Sequence, residues 1–174
     1  MTPQWIAFTA TLLGCLALVA TARWHGSLTF DHSVGVQKFH STPTPRKGAV
    51  GVIVGLLAAH GAASPEVRTL LAPMLLAGLP AFGAGLTEDM TKKIGVLPRL
   101  LATLSSGVLA WWLTGIAMRN TGLPAFDVVL TMTPVAVLFT AFAVGGLANA
   151  VNIIVGFNGL AGGAAVIMFA AMGL

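Results

Sequence analysis

The chain carries very little charge. Of its 174 residues only five are acidic and nine are Lys or Arg, 8% charged in all against 56% hydrophobic. A soluble domain holds roughly a quarter of charged residues, so this scarcity excludes an ordinary soluble fold. The mean hydropathy of +0.91 points instead to a polytopic membrane protein. Cysteine is almost missing as well. Cys15 stands alone inside the first apolar run, which rules out an intrachain disulfide or a thiolate metal site and leaves the redox compartment unread. The net charge of +4 implies no nucleic-acid partner, because the basic residues fall in short loops between apolar segments, where they orient helices.

What remains is a series of apolar runs. Trp5 to Ala22 has eighteen residues without a charge, enough to cross a hydrocarbon core that needs about 20. It reads as a retained helix rather than a signal peptide, since no Lys or Arg precedes it. Further spans are expected at Ala49–Ala63, Thr69–Leu86, Pro98–Met118, Phe126–Leu147 and Leu160–Gly173, with a tight turn over Ser64–Arg68. Pro73 and Pro80 predict a kink in the third of these. The fold class is therefore all-α: a single membrane domain over residues 1–174 with about six transmembrane helices and short loops. The many Gly and Ala residues allow close helix packing where lipid gives no hydrophobic drive.

Orientation follows from the cations. Arg23, Lys38, Arg46, Lys47, Lys92, Lys93 and Arg99 fall on one side, Arg68 and Arg119 on the other, and the richer side is expected to be cytoplasmic. That side also holds the 23–47 loop, the adjacent acids Glu88 and Asp89, and the segment Asn149–Asn158.

Two neighbouring carboxylates in so acid-poor a chain suit a divalent cation, and Mg²⁺ commonly takes one or two carboxylates plus substrate phosphate oxygens. By itself the pair reads sooner as loop acids that neutralise Lys92, Lys93 and Arg99. Asn149 and Asn152, three apart, share a helix face where their amides could meet a phosphate, a nucleotide or a metal-bound water; without a motif around them, the preferred reading is that they glue helices together. Gly156 and Gly159 allow a sharp turn after them.

Three stretches carry a resemblance. Gln37–Gly48 (QKFHSTPTPRKG) resembles a "KxHxxPTPRxGG" loop, Gly85–Lys93 (GLTEDMTKK) a "GLxDD" metal motif, and Asn149–Gly162 (NAVNIIVGFNGLAG) a "NAxNxxDGxDGLAxG" motif. All three, in this order, are similar to those of the polyprenyl-phosphate N-acetylhexosamine-1-phosphate transferases of glycosyltransferase family 4. The resemblance implies transfer of an N-acetylhexosamine-1-phosphate from a UDP-sugar to undecaprenyl phosphate, at the cytoplasmic face of a bacterial inner membrane, with release of UMP and initiation of a lipid-linked envelope glycan. It implies Mg²⁺ on Glu88 and Asp89, which are also the catalytic acids, and substrate contacts from Lys38, His40, Arg46, Asn149, Asn152 and Asn158. The partners implied are the polyprenyl phosphate lipid, the UDP-sugar, the membrane itself and, as an open option, a second copy of the chain.

The chain also departs from the pattern. Val155 stands where the motif has its first Asp, Asn158 where it has the second, and Glu88 where Asp is usual. The chain is expected to represent the N-terminal half of such an enzyme and, with Val155, not to turn over. The alternatives are a truncated or degenerate relative that binds lipid phosphate or a partner without catalysis, and an unrelated small transporter. Against the transporter, no Asp, Glu, Lys or Arg lies mid-span, where ion pathways usually place them.

Overall fold

The computed structural model describes residues 2–22, 30–31, 44–45, 48–91, 94–155 and 159–173. Among these the regular structure is helical apart from one two-residue antiparallel pairing, Phe30–Asp31 with Thr44–Pro45. The helices are α1 (Pro3–Ala20), α2 (Gly48–Ala62), α3 (Pro65–Ala77), α4 (Leu79–Thr91), α5 (Val96–Thr114), α6 (Pro124–Leu130), α7 (Thr133–Ile154) and α8 (Leu160–Gly173). By length and composition, α1, α5 and α7 can each cross a membrane, and α3 with α4 make a fourth crossing if the bent pair is one span. The short apolar helices α2 and α8 occupy the remaining two expected spans. At about 1.5 Å per residue, neither reaches across a core of about 30 Å without local thinning.

Small residues decide how the helices meet. On α2, a Cβ added to Gly51 would stand 2.5 Å from Cys15 Sγ, and one on Gly55 would collide with Thr11 Oγ1 of α1. On α5, a Cβ at Gly107 would stand 2.6 Å from the Cα of Ala141 on α7. The second group centres on α5, which packs against α3, α4 and α7. Large apolar side chains such as Trp112, Leu138, Phe142 and Ile167 point outward, as lipid-facing residues do.

Proline sets the helix ends more finely than periodicity predicts. The expected kink in the third span is a break at Gly78 with a 45° bend. Pro80 lacks the N–H that would continue the ladder, and the next donor, Ala81 N–H, goes instead to Ser106 Oγ of α5 at 3.1 Å. Pro73 alone leaves α3 unbroken. The expected turn at Ser64–Arg68 is shorter than predicted, because Pro65 already starts α3, where its missing N–H costs nothing. The fourth span ends early at Thr114, capped by Gly115 in the left-handed region (φ 71°), whose N–H reaches Trp111 O at 2.7 Å.

The expected fifth span is not one helix: α7 is the helix long enough to cross, and the short α6 precedes it. Pro134 opens α7 and its ring would clash with the carbonyl of Leu130, so α6 stops there. Arg119 bridges the break, donating to Thr131 O at 2.9 Å and Thr133 Oγ1 at 3.0 Å. From Thr133 the helix runs to Ile154, seven residues past the expected end, and carries Asn149 and Asn152 within it.

Candidate functional site

Three helix ends converge: the last turn of α4, the first turn of α5 and the last turns of α7. Glu88 and Asp89 lie on α4, which continues to Thr91, so the acid pair belongs to a helix and not to a loop. Both side chains are half-buried. Arg99, four residues into α5, donates from Nη1 to both carboxylate oxygens of Glu88, at 3.0 and 2.9 Å. The Arg99 and Glu88 side chains are only 18% and 28% exposed, so this pair is poorly screened by solvent.

Arg99 reaches further. Its Nε donates to Asn149 Oδ1 at 3.3 Å, and Asn149 Nδ2 donates to Gly145 O at 2.8 Å and to Thr103 Oγ1 at 3.1 Å. The buried Thr103 in turn donates to Leu100 O at 2.9 Å. The chain Glu88, Arg99, Asn149, Thr103 therefore ties α4, α5 and α7 at one end, with every polar atom of the Asn149 amide used. Close helix approach makes this reach feasible: a Cβ on Gly145, one turn before Asn149, would stand 2.9 Å from Leu104 Cδ2.

The sequence-predicted residues fare differently. Glu88 and Asn149 are brought together through Arg99, and Asp89 follows Glu88 on α4. Asn152, one turn further along α7, is exposed and makes no side-chain bond among the described residues. Val155 ends that helix 58% exposed, its N–H on Val151 O at 3.0 Å. Gly159 has φ 75°, as a turn at that point requires. Lys38, His40, Arg46 and Asn158 lie outside the described residues, as do Lys47, Lys92 and Lys93.

Sequence reasoning named Arg99 only as a counter-charge and a topological cation, and it missed Thr103. Their spacing of four, which puts both on one face of α5, was the available signal.

Among the described residues no group of three or more His, Cys, Asp or Glu is placed to hold a metal. Mg²⁺ does not need one, since it keeps several waters and binds through one or two carboxylates together with substrate phosphates. Glu88 fits that mode as a single carboxylate ligand, with Asp89 next to it on α4. Glu88 offers about four lone-pair sites and spends two on Arg99.

Comparison with known proteins points the same way. The chain is similar to the decaprenyl-phosphate N-acetylglucosaminephosphotransferase of Mycobacterium leprae (strain TN), with 31% identity over 138 residues. That alignment covers 71% of this chain and 33% of the relative, so the chain spans about a third of the length of that protein. No solved structure matches. The family model described as glycosyl transferase family 4 matches residues 71–174, which include Glu88, Asp89, Arg99, Thr103 and Asn149. With that match over more than half its length, the chain belongs to glycosyl transferase family 4.

Proposed function

We propose that this chain forms the acid-pair end of a site that transfers an N-acetylhexosamine-1-phosphate from a UDP-sugar to a polyprenyl phosphate. In that reaction a phosphate oxygen of the lipid attacks the sugar-bearing phosphorus. The new P–O bond replaces the one to UMP, which leaves with the electron pair. Both substrates are anions, so the barrier is largely electrostatic. A bound Mg²⁺ would supply charge neutralisation on the phosphate oxygens. Glu88 and Asp89 would hold it, Asn149 would help fix their surroundings, and Lys38, His40 and Arg46 would meet oxygens the metal does not reach. The observation that carries this reading is Glu88 of the acid pair, held by Arg99, which also bonds Asn149, at the meeting point of three helix ends inside the family-matched region. The related protein's name, which couples a decaprenyl phosphate with N-acetylglucosamine phosphate, supports the substrate class. We place this end at the cytoplasmic face of a bacterial inner membrane, on the distribution of Lys and Arg.

The test is ligand protection. In the wild type, UDP-N-acetylglucosamine or undecaprenyl phosphate with Mg²⁺ should protect the segment after Thr91 from proteolysis, and Glu88→Gln/Asp89→Asn should abolish that protection. Equal protection in both proteins would show that the acids bind no metal.

A second reading, binding without turnover, is favoured by Val155. Its exposed isopropyl group at the end of α7 offers no lone pair or charge at the position where the family motif has an acid. General acid-base assistance alone is worth roughly 10²–10⁴ in rate. Residues 1–174 should therefore release no UMP from UDP-N-acetylglucosamine with undecaprenyl phosphate and Mg²⁺. Robust turnover by the purified chain would refute this second reading.

A further inference from the structure

Helix stability does not explain where Arg99 and Glu88 stand. Arg99 sits in the first turn of α5 and Glu88 in the last turn of α4, so each charge occupies the helix end whose dipole disfavours it. Both side chains are also mostly withdrawn from water, which costs each of them hydration. Positive-inside topology explains a cation at this end but not its geometry, since a topological cation could extend into solvent. Instead the guanidinium is spent on two partners from different motifs: the Glu88 carboxylate through Nη1 and the Asn149 amide oxygen through Nε. Asn149 is itself held by Gly145 and Thr103, so its oxygen is presented to Arg99 in one orientation.

We infer that Arg99 is a positioning residue of the metal and phosphate site: it fixes Glu88 and Asn149 relative to each other, so that the acid pair of α4 and the Asn motif of α7 act on one ligand. This rests on the proposed binding of a divalent cation at Glu88 and Asp89, and adds a residue that acts through them. Carboxylates that ligate metals are themselves held by hydrogen bonds, and losing such a partner typically costs ~10–100-fold in metal affinity.

The sign of the effect separates positioning from simple charge balance. By Coulomb's law alone, removing a cation from beside a dication site tightens metal binding. Positioning predicts the reverse. The experiment measures Mn²⁺ affinity of the purified full chain in detergent from the electron paramagnetic resonance signal of free Mn²⁺. Arg99→Gln should weaken binding by about tenfold although it removes a positive charge. Arg99→Lys, which keeps the charge but loses the planar multi-donor head, should weaken it as well. Asp89→Asn should also lose affinity, and this arm tests the underlying reading. No Mn²⁺ binding by the wild type, or none lost in Asp89→Asn, overturns the proposed function and the inference with it. Loss in Asp89→Asn with unchanged or tighter binding in Arg99→Gln overturns the positioning role alone. Should size exclusion show that Arg99→Gln does not fold, Arg99→Lys decides, and wild-type affinity there overturns the inference.

Discussion

Adding a single methyl group at Gly107 should damage the site from a distance of one helix turn. The Cβ of Gly107→Ala would stand 2.6 Å from Ala141 Cα, 3.2 Å from Ala141 N and 3.4 Å from Ala141 Cβ. Carbon atoms make favourable contact at about 3.5–4.0 Å, so α5 and α7 must part by about 1 Å at this point. The obstacle is backbone, which cannot swing aside as a side chain would. Overpacking of this kind costs typically ~1–3 kcal/mol. Separation also reaches the site, because Thr103 lies four residues from Gly107 and accepts from Asn149 Nδ2 across the same interface at 3.1 Å. A further ångström would break that bond.

Gly146, beside the packed Gly145 on α7, is the control, since a Cβ there meets nothing within 4 Å. Gly146→Ala should leave stability unchanged or raise it by up to about 1 kcal/mol through helix propensity. Thermal unfolding of wild type, Gly107→Ala and Gly146→Ala in one detergent, followed by size exclusion, ranks the three proteins. Gly107→Ala melting with or above Gly146→Ala would refute the close α5–α7 contact, and with it the route by which Asn149 reaches Arg99.

Ser106→Ala should destabilise the bend between α3 and α4, because the buried hydroxyl accepts the Ala81 N–H that Pro80 and the break leave without a helical partner. Hydrogen bonds between membrane helices average ~0.6 kcal/mol, and an unsatisfied buried donor costs ~1–3, so a loss within that range is expected in the same melting assay. A Ser106→Ala protein as stable as wild type would show that this N–H finds another acceptor. Asp127, in the short helix α6 outside the long spans, has its carboxyl held below the usual value chiefly by the Thr121 hydroxyl and then by the Thr121 N–H, both at 2.7 Å. A depressed carboxyl contributes stability above its unfolded pKa and loses it as pH falls through the folded value. Amide exchange at Thr121 and Gly122 should therefore accelerate, relative to its normal pH trend, only below the ordinary Asp range, and Asp127→Asn should remove that step. Topology can be read with a probe cysteine at Thr91 in a Cys15→Ser background. A membrane-impermeant thiol reagent outside intact cells should leave it unlabelled, and labelling would place the acid-pair end outside.

Membrane class, helical fold and the places of most spans were legible from the sequence because the constraint behind them is local. Lipid supplies no hydrogen-bond partner, so each crossing must satisfy its own backbone and must be apolar along its own length. Leu160–Gly173 agrees with its expected bounds, and the first two spans shift by one or two residues. The acid pair and the Asn pair stood out for a related reason, since charge and amide side chains are rare against so apolar a background. What joins them could not be read that way. The Arg99 to Asn149 bond crosses fifty positions and the Ala81 to Ser106 bond twenty-five. Neither exists until Gly107 and Gly145 let α5 and α7 approach, and until the break at Gly78 turns α4 toward α5. Composition led to the expectation that three polar patches share one face. Only packing decided that Glu88 is held by Arg99, that Arg99 also holds Asn149, and that Asn152, on the same helix, stands clear of them.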